Sequence, residues 1–479
     1  MIHRNKKLCY NSVGKIRKNG VDHMSTAVKS KKYEIDMCNG TIMNKLVSFS
    51  LPLMLSGILQ LMFNAVDIIV VGRFSGSSAL AAVGSTTALI NVFTNLFIGI
   101  SLGANVLAAR FYAAGREKEM SETVHTAITL ALISGIVMAF VGLFFSRLAL
   151  EWMDTPSDVI DQSALYMKIY FIGMPFFMLY NYGAAILRAV GDTRRPLFFL
   201  MISGGINALL NLLLVIVFRL GVAGVAIATV ISQMISCCLV LRCLCRSESS
   251  YRLQFSKLMI RGIYLKQILQ VGLPAGIQST VINFSNVLLQ SSVNSFGSIA
   301  MAGYTAANNI FGFLYVSVNS VTQACMSFTS QNYGVGKHKR MDRVLLDCLI
   351  LSVVVSGVLG GSAYLFGPQL LTIYTKDPQV IACGVEILLY TTVTYFLCGI
   401  MDLFPGALRG MGHSAVPMIL SVIGTVGMRV FWIYLIFPAH RSLSVLFISY
   451  PASWIFTIVM QVICFFLVRK KVHREHGWD

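Results

Sequence analysis

Between Lys45 and Arg73 the only charged residue is Asp67. Asn64 lies three residues before it, so the two share one face of a helix. A carboxylate taken out of water needs a partner, and a proton or a bound cation is the simplest one. Asp67 is therefore a candidate carrier of H+ or Na+. The plainer alternative is a structural carboxylate, hydrogen-bonded between helices or close to a membrane surface. Pro52 comes fifteen residues earlier in the same apolar run. A proline inside a helix removes one hydrogen bond and permits a kink. Together they suggest a switch: protonation of Asp67 changes its hydrogen bonds, and the helix bends at Pro52.

Few other charges stand inside apolar runs. Glu386 and Asp347 lie near run ends, at interfacial positions. Asp402 precedes Arg409 by seven residues, and three placements are open to it: a cleft, a pair with Arg429, or the headgroup region. Arg429 is alone in its run, and a partner carboxylate or carbonyl suits it better than direct substrate contact. Neutral polar residues also cluster. Asn283, Asn286, Gln290 and Asn294 recur at the spacing of one helical stripe, beside Gln278. Asn308, Asn309, Asn319 and Gln323 follow, and Asn207 and Asn211 lie one turn apart. Hydrogen bonds between helices would use some of these. A stripe of four fits a wet cavity better. Gly99 and Gly103 are spaced for close helix packing.

Other chemistries find no support in the sequence. No G-x-x-x-x-G-K-[ST] loop is present, so an ATP-driven pump would need a second chain. The 11 cysteines fall mostly in apolar runs, and Cys243 and Cys245 have no zinc spacing. The expectation is no enzyme, no cofactor and no metal site, beyond Na+ as a possible coupling ion near Asp67.

The elements that position these residues follow from composition. Of 479 residues, 56% are hydrophobic and only 12% charged. Soluble domains carry roughly a quarter charged residues. An all-α integral membrane protein is what remains. Charge-free runs long enough for a span of about 20 residues give twelve helices: 46–71, 80–105, 122–145, 163–186, 196–218, 222–244, 266–293, 301–327, 344–367, 382–407, 416–437 and 444–468. The first 44 residues are polar and basic, with no apolar core or cleavage site of a signal peptide. With the N-terminus placed in the cytoplasm, 31 of the 38 Lys and Arg fall on the inner side and 5 in outer loops. That is the positive-inside pattern for an even helix count, with both termini cytoplasmic. The net charge of +18 then records threading through a membrane, not a nucleic-acid surface.

The chain also repeats. Pro52 returns as Pro274, and Tyr112 and Gly115 return as Tyr333 and Gly336. LRAVGDTRRP (187–196) returns as LRGMGHSAVP (408–417). Each unit holds six helices, so both halves enter the membrane the same way, as two lobes related by an axis along the membrane normal. The expected organisation is a basic, disordered tail at 1–44 touching anionic lipid, a first lobe at 45–245, a linker at 246–265, a second lobe at 266–469 and a C-terminal tail at 470–479. Two such lobes enclose a cleft, and rocking opens it to one side at a time.

LPLMLSGILQLMFNAVDIIVVGRFSG, AARFYAAGR, LRAVGDTRRP and GVAGVAIATVISQ together resemble multidrug and toxic compound extrusion (MATE) transporters, most of all the branch related to the DNA-damage-inducible F proteins. The resemblance covers about residues 42–470. It implies a twelve-helix antiporter of the prokaryotic plasma membrane, exporting organic and often cationic compounds in exchange for H+ or Na+. It implies an ion-coupling role for Asp67, a bend at Pro52, and polar neighbours at Asn207, Asn211 and Thr229. Some members carry a second aspartate in the fifth helix where this chain has Asn211, which leaves the coupling ion open.

Two further readings stand beside the antiporter. A lipid-linked sugar or polysaccharide flippase would need more cationic residues in the cleft to hold pyrophosphate, and only Arg429 and Lys168 lie inside spans. A non-transporting receptor or scaffold would use the basic tail to bind a partner. The expected partners are small organic substrates and membrane lipids, with no nucleic acid and a monomeric chain. Asn283, Asn286, Gln290, Asp402 and Arg429 are the candidate cavity residues.

Overall fold

The computed structural model describes residues 33–153 and 155–476, and among them all regular structure is helical. In chain order the long elements are α1 (Ile42–Phe74), α2 (Ser77–Ala113), α3 (Glu117–Trp152), α4 (Ile160–Ile172 and Met174–Ala189), α5 (Arg194–Val217) and α6 (Gly221–Cys245). Then follow α7 (Gly262–Asn294), α8 (Ser298–Gly334), α9 (His338–Leu365), α10 (Pro378–Thr392 and Tyr395–Gly410), α11 (Ala415–Ile436) and α12 (Leu443–His476). No expected span runs more than two residues outside these elements. Among the described residues nine helices are long and apolar enough to cross a bilayer, ten with the two pieces of α4 counted together. α7 and α8, at 33 and 37 residues, are long enough but less apolar, because they carry the polar clusters seen in the sequence.

Irregularities fall where the sequence demands them. The pieces of α4 meet at 48° around Gly173. Pro175 heads the second piece and withholds the N–H that would continue the first. α1 runs continuously through Pro52, and the Ser56 hydroxyl donates to the Pro52 carbonyl at 2.8 Å. α5 ends in a π-helical stretch at Leu213–Val217, and α11 holds two, at Val422–Gly427 and Trp432–Ile436. Such wide turns often mark functional positions.

Three large apolar cores hold the helices together, beside a small cluster of Val106, Val271 and Met326. One draws on residues between Val70 and Ile268, a second on residues between Leu289 and Trp454. The third joins Ile42, Leu46, Phe49 and Leu53 of α1 to α8, α9, α10 and α12. So α1 starts among the helices of the second repeat and ends, at Val70 and Val71, among those of the first. α7 does the reverse: Tyr264 and Ile268 join the first core, Leu289 and Val293 the second. α2 and α7 touch backbone to backbone. A Cβ added at Gly99 would lie 2.2 Å from the Cα of Gly276, and one at Gly272 2.5 Å from the Cα of Ile100. The spacing of Gly99 and Gly103 thus serves close packing between the two repeats.

Residues 1–32 of the expected tail lie outside the described residues. Residues 33–41, counted with that tail in the sequence, are packed as a strap across the two repeats. Their backbone polar groups and Glu34 find specific partners, which a disordered segment would lack. Tyr112 and Tyr251 donate to the Glu34 carboxylate at 2.6 and 2.7 Å, and Ile35 N–H donates to Gly191 O at 3.3 Å. On the other side Asn332 donates to Met37 O at 3.1 Å and Lys337 to Cys38 O at 2.9 Å. The Arg340 guanidinium donates to the carbonyls of Met37, Asn39 and Gly40. Met37 itself is fully buried. The linker is anchored too: Tyr251 and Leu253 are buried, and the Gln254 N–H donates to His125 Nε2 at 3.1 Å.

Candidate functional site

Asp67 lies near the end of α1, 8% exposed. Asn211, in the last turn of α5 before its π-helical stretch, donates Nδ2 to Asp67 Oδ1 and also to Asn207 Oδ1, the latter at 3.2 Å. Thr229 on α6 donates its hydroxyl to Asp67 Oδ2 at 3.5 Å and to Val225 O at 3.0 Å. Three helices therefore converge on one carboxylate with neutral donors, and among the described residues no Lys or Arg forms an ion pair with it. Asn211 Oδ1 is buried without a hydrogen-bond partner. Buried acceptors without a partner are uncommon, so an orphan beside a carboxylate is what a bound cation or hydronium would satisfy.

A cavity of about 460 Å³ opens beside this cluster. Asn64, Asp67, Asn207 and Thr229 all line it. Asn64 is exposed to the cavity and does not bond to Asp67. Asn319 and Gln323 of α8 close one wall, while Asn308 and Asn309 lie elsewhere. The sequence reading missed Asn91 and Asn95, one turn apart on α2, and Asn181 and Gln233, all of which line it. It also missed Arg188, in the last turn of the second piece of α4, which lines the same cavity. The paired asparagines of α2 were a signal available in the sequence. Arg188 carried none beyond its place in the repeated LR motif.

The second repeat corrects several expectations. Asn283, Asn286, Gln290, Asp402 and Arg429 do not line the cavity that holds Asp67. Asn286 accepts from Arg429 Nη1 at 2.9 Å, and the Arg429 guanidinium stands 4.3 Å from the centroid of the Tyr450 ring. Gln290 donates to Asn294 on its own helix at 3.1 Å, and Asn283 is exposed. Asp402 and Arg429 form no ion pair. Arg429, 4% exposed, is already engaged by an amide and an aromatic face, and Asp402 has Arg409 as its nearer charge. Arg409 Nη2 donates to Gln278 Oε1 at 2.6 Å.

Comparison with known proteins bears on this arrangement. The MatE family model matches twice, at residues 52–213 and again at 274–435, each match starting at the repeated proline. The chain belongs to the MatE family. It is a multi-pass membrane transporter, not an enzyme. Among curated relatives of this MATE chain, the probable multidrug resistance protein YoeA of Bacillus subtilis is 31% identical over 425 residues, covering 86% of this chain and 91% of that protein. A second, YpnP of the same organism, also called a probable multidrug resistance protein, is 27% identical over 399 residues, covering 83% and 88%. A solved structure described as the outward-facing conformation of a multidrug resistance MATE family transporter of the MOP superfamily superposes with a TM-score of 0.85. It covers 94% of this chain and all of that one at 21% identity, which establishes the fold.

Proposed function

We propose that this MATE-family protein is a secondary active exporter of small organic compounds, driven by inward movement of H+ or Na+ through the Asp67 cluster. The observation that carries the reading is the Asp67 carboxylate, held by Asn211 and Thr229 and facing a 460 Å³ cavity with no cation paired to it. A buried negative charge with neutral donors alone is costly, and a proton or Na+ supplies the missing positive partner. Asn211 Oδ1 and the Thr229 hydroxyl stand ready as further oxygen ligands. The ion and the substrate share one cavity, so loading one can disfavour the other, and that competition is the basis of exchange.

The positive-inside distribution supports a cytoplasmic location for both termini and for the face that carries the 33–41 strap. The lobes, at 45–245 and 266–469, rock about their seam. On this reading the contacts of the strap and of Gly99, Gly272 and Gly276 would hold the cytoplasmic side closed. A flippase reading finds less support, because the cavity offers a single cation, Arg188, to a pyrophosphate.

Reconstituted protein tests the proposal. Wild type in proteoliposomes should accumulate a fluorescent organic cation when a proton or Na+ gradient is imposed and not without one. Asp67→Asn keeps the hydrogen-bonding shape but cannot carry the ion, and gradient-driven uptake should fall to the background of empty vesicles. Undiminished gradient-driven transport by Asp67→Asn would remove the carboxylate from the mechanism.

A further inference from the structure

The internal repeat supplies its own control for the cavity. At the repeat offset, Ser56, Asn181 and Arg188 of the first half correspond to Gln278, Asp402 and Arg409 of the second. In the second half the arginine is held by the glutamine and has a carboxylate on its own helix, seven residues away. Arg409 donates to Gln278 at 2.6 Å and lies within electrostatic reach of Asp402. In the first half Ser56, Asn181 and Arg188 all line the 460 Å³ cavity, and the position of the carboxylate is held by Asn181. The Asn181 amide donates to Phe177 O at 2.9 Å and the Ser56 hydroxyl donates to Pro52 O. Among the described residues no carboxylate pairs with Arg188, and its one charged-type neighbour is the Tyr180 phenol. The cavity therefore carries one formal charge of each sign, Asp67 and Arg188.

We propose that Arg188 is the receptor for an anionic group on the transported compound, a carboxylate held by the forked N–H donors of the guanidinium. A planar guanidinium without a counter-ion, half-buried at the end of a water-accessible cavity, matches a carboxylate in shape and charge. The substrate class this selects is the amphipathic organic acid or zwitterion, its apolar body along the cavity wall and its carboxylate at Arg188. At Arg409 the same group would have to displace Gln278 and would meet a carboxylate, Asp402, on the same helix. The inference rests on the export reading above, since it assigns specificity to the same cavity.

The test uses purified full-length protein and two probes that differ in one group: a rhodamine dye with a free carboxylate, and the methyl ester of the same dye. Binding is read by fluorescence anisotropy. Arg188→Gln should weaken the acid form by about tenfold, the scale of a lost charge-assisted hydrogen-bonded pair. The ester should be held within about twofold of wild type. Asn181→Asp restores at the first repeat the carboxylate found at 402, and should weaken the acid form in the same way while Arg188 stays in place. That second variant answers the question even if Arg188→Gln folds poorly. Equal effects on acid and ester, or none on either, with both dyes bound by wild type, would overturn the anion receptor and leave export intact. Failure of wild type to bind either dye would overturn both.

Discussion

Asn211 donates to Asp67 and leaves its own Oδ1 without a partner, so its identity should tune the ion site directly. Asn211→Asp places a second carboxylate beside the first. Two carboxylates sharing a site hold a cation more strongly, and the ion concentration that half-saturates transport should fall about tenfold. Asn211→Ala removes both the donor and the orphan acceptor and should raise it. No shift in either variant would exclude Asn211 as a ligand. Arg429 allows a second check at the same scale. Because it contacts Asn286 and Tyr450 and forms no ion pair with Asp402, the stability effects of Asp402→Ala and Arg429→Ala should add, with a coupling below about 0.5 kcal/mol in a double-mutant cycle. Asn286→Ala strips a buried guanidinium of its acceptor and should cost about 1–3 kcal/mol in thermal or denaturant unfolding. These residues also mark what a sequence can reveal. Asp67 was legible because it is the only charge in its apolar run. The stripe at 283, 286, 290 and 294 was real as a helix face, but spacing does not say which neighbour covers that face. The Asp402–Arg429 pair failed for the same reason: both lie in spans, yet each meets another partner first.

Helices show a similar division between what was readable and what was not. Span limits followed from charge-free runs, because the bilayer imposes a length and excludes charge. The crossing of α1 and α7 between cores did not, because hydropathy is blind to which apolar surface meets which. That crossing gives α1 a mechanical role. Its first half packs with α8, α9, α10 and α12, through contacts such as the edge-to-face pair Phe49–Phe328 at 5.6 Å, while its far half carries Asp67 into the first bundle. Pro52 lies within that first half, and the N–H it withholds is where α1 would bend if the proposed change at Asp67 acts on it. The strap at 33–41 works on the same seam. It bonds to Tyr112, Tyr251 and Gly191 on one side and to Asn332, Lys337 and Arg340 on the other. Such a strap must release before the cavity can open toward its face. Spin labels at exposed Arg116 and Lys339 report the separation of the repeats there. Lys337→Ala combined with Arg340→Ala should shift the label distances toward a longer, broader distribution. An unchanged distribution would mean that the glycine contacts between α2 and α7 suffice to hold the face closed.

At the scale of the whole molecule, the double match of one family model and the near-constant offset of the repeated motifs describe two copies of one six-helix plan. The copies are alike in backbone and unlike in charge. The first has Asp67 and Arg188 at one cavity, and the second bonds its arginine to Gln278 and carries Asp402 where the first has Asn181. On the proposed reading, divergence leaves the binding site in one half and makes the other its support. The same plan fixes orientation, because an even number of helices per copy forces both copies to point the same way. The sequence expectation of 31 of 38 basic residues on one side would, by the rule that positive loops stay inside, put the face of the strap in the cytoplasm. The prediction is sharp at exposed loop positions. In a background with native cysteines replaced by serine, Lys376→Cys and Arg441→Cys lie on the opposite face from Lys339→Cys. A membrane-impermeant maleimide added to intact cells should label the first two and spare the third, and lysis should make all three reactive. Labelling of Lys339→Cys in intact cells would reverse the orientation, and with it the direction in which the Asp67 site faces the ion gradient.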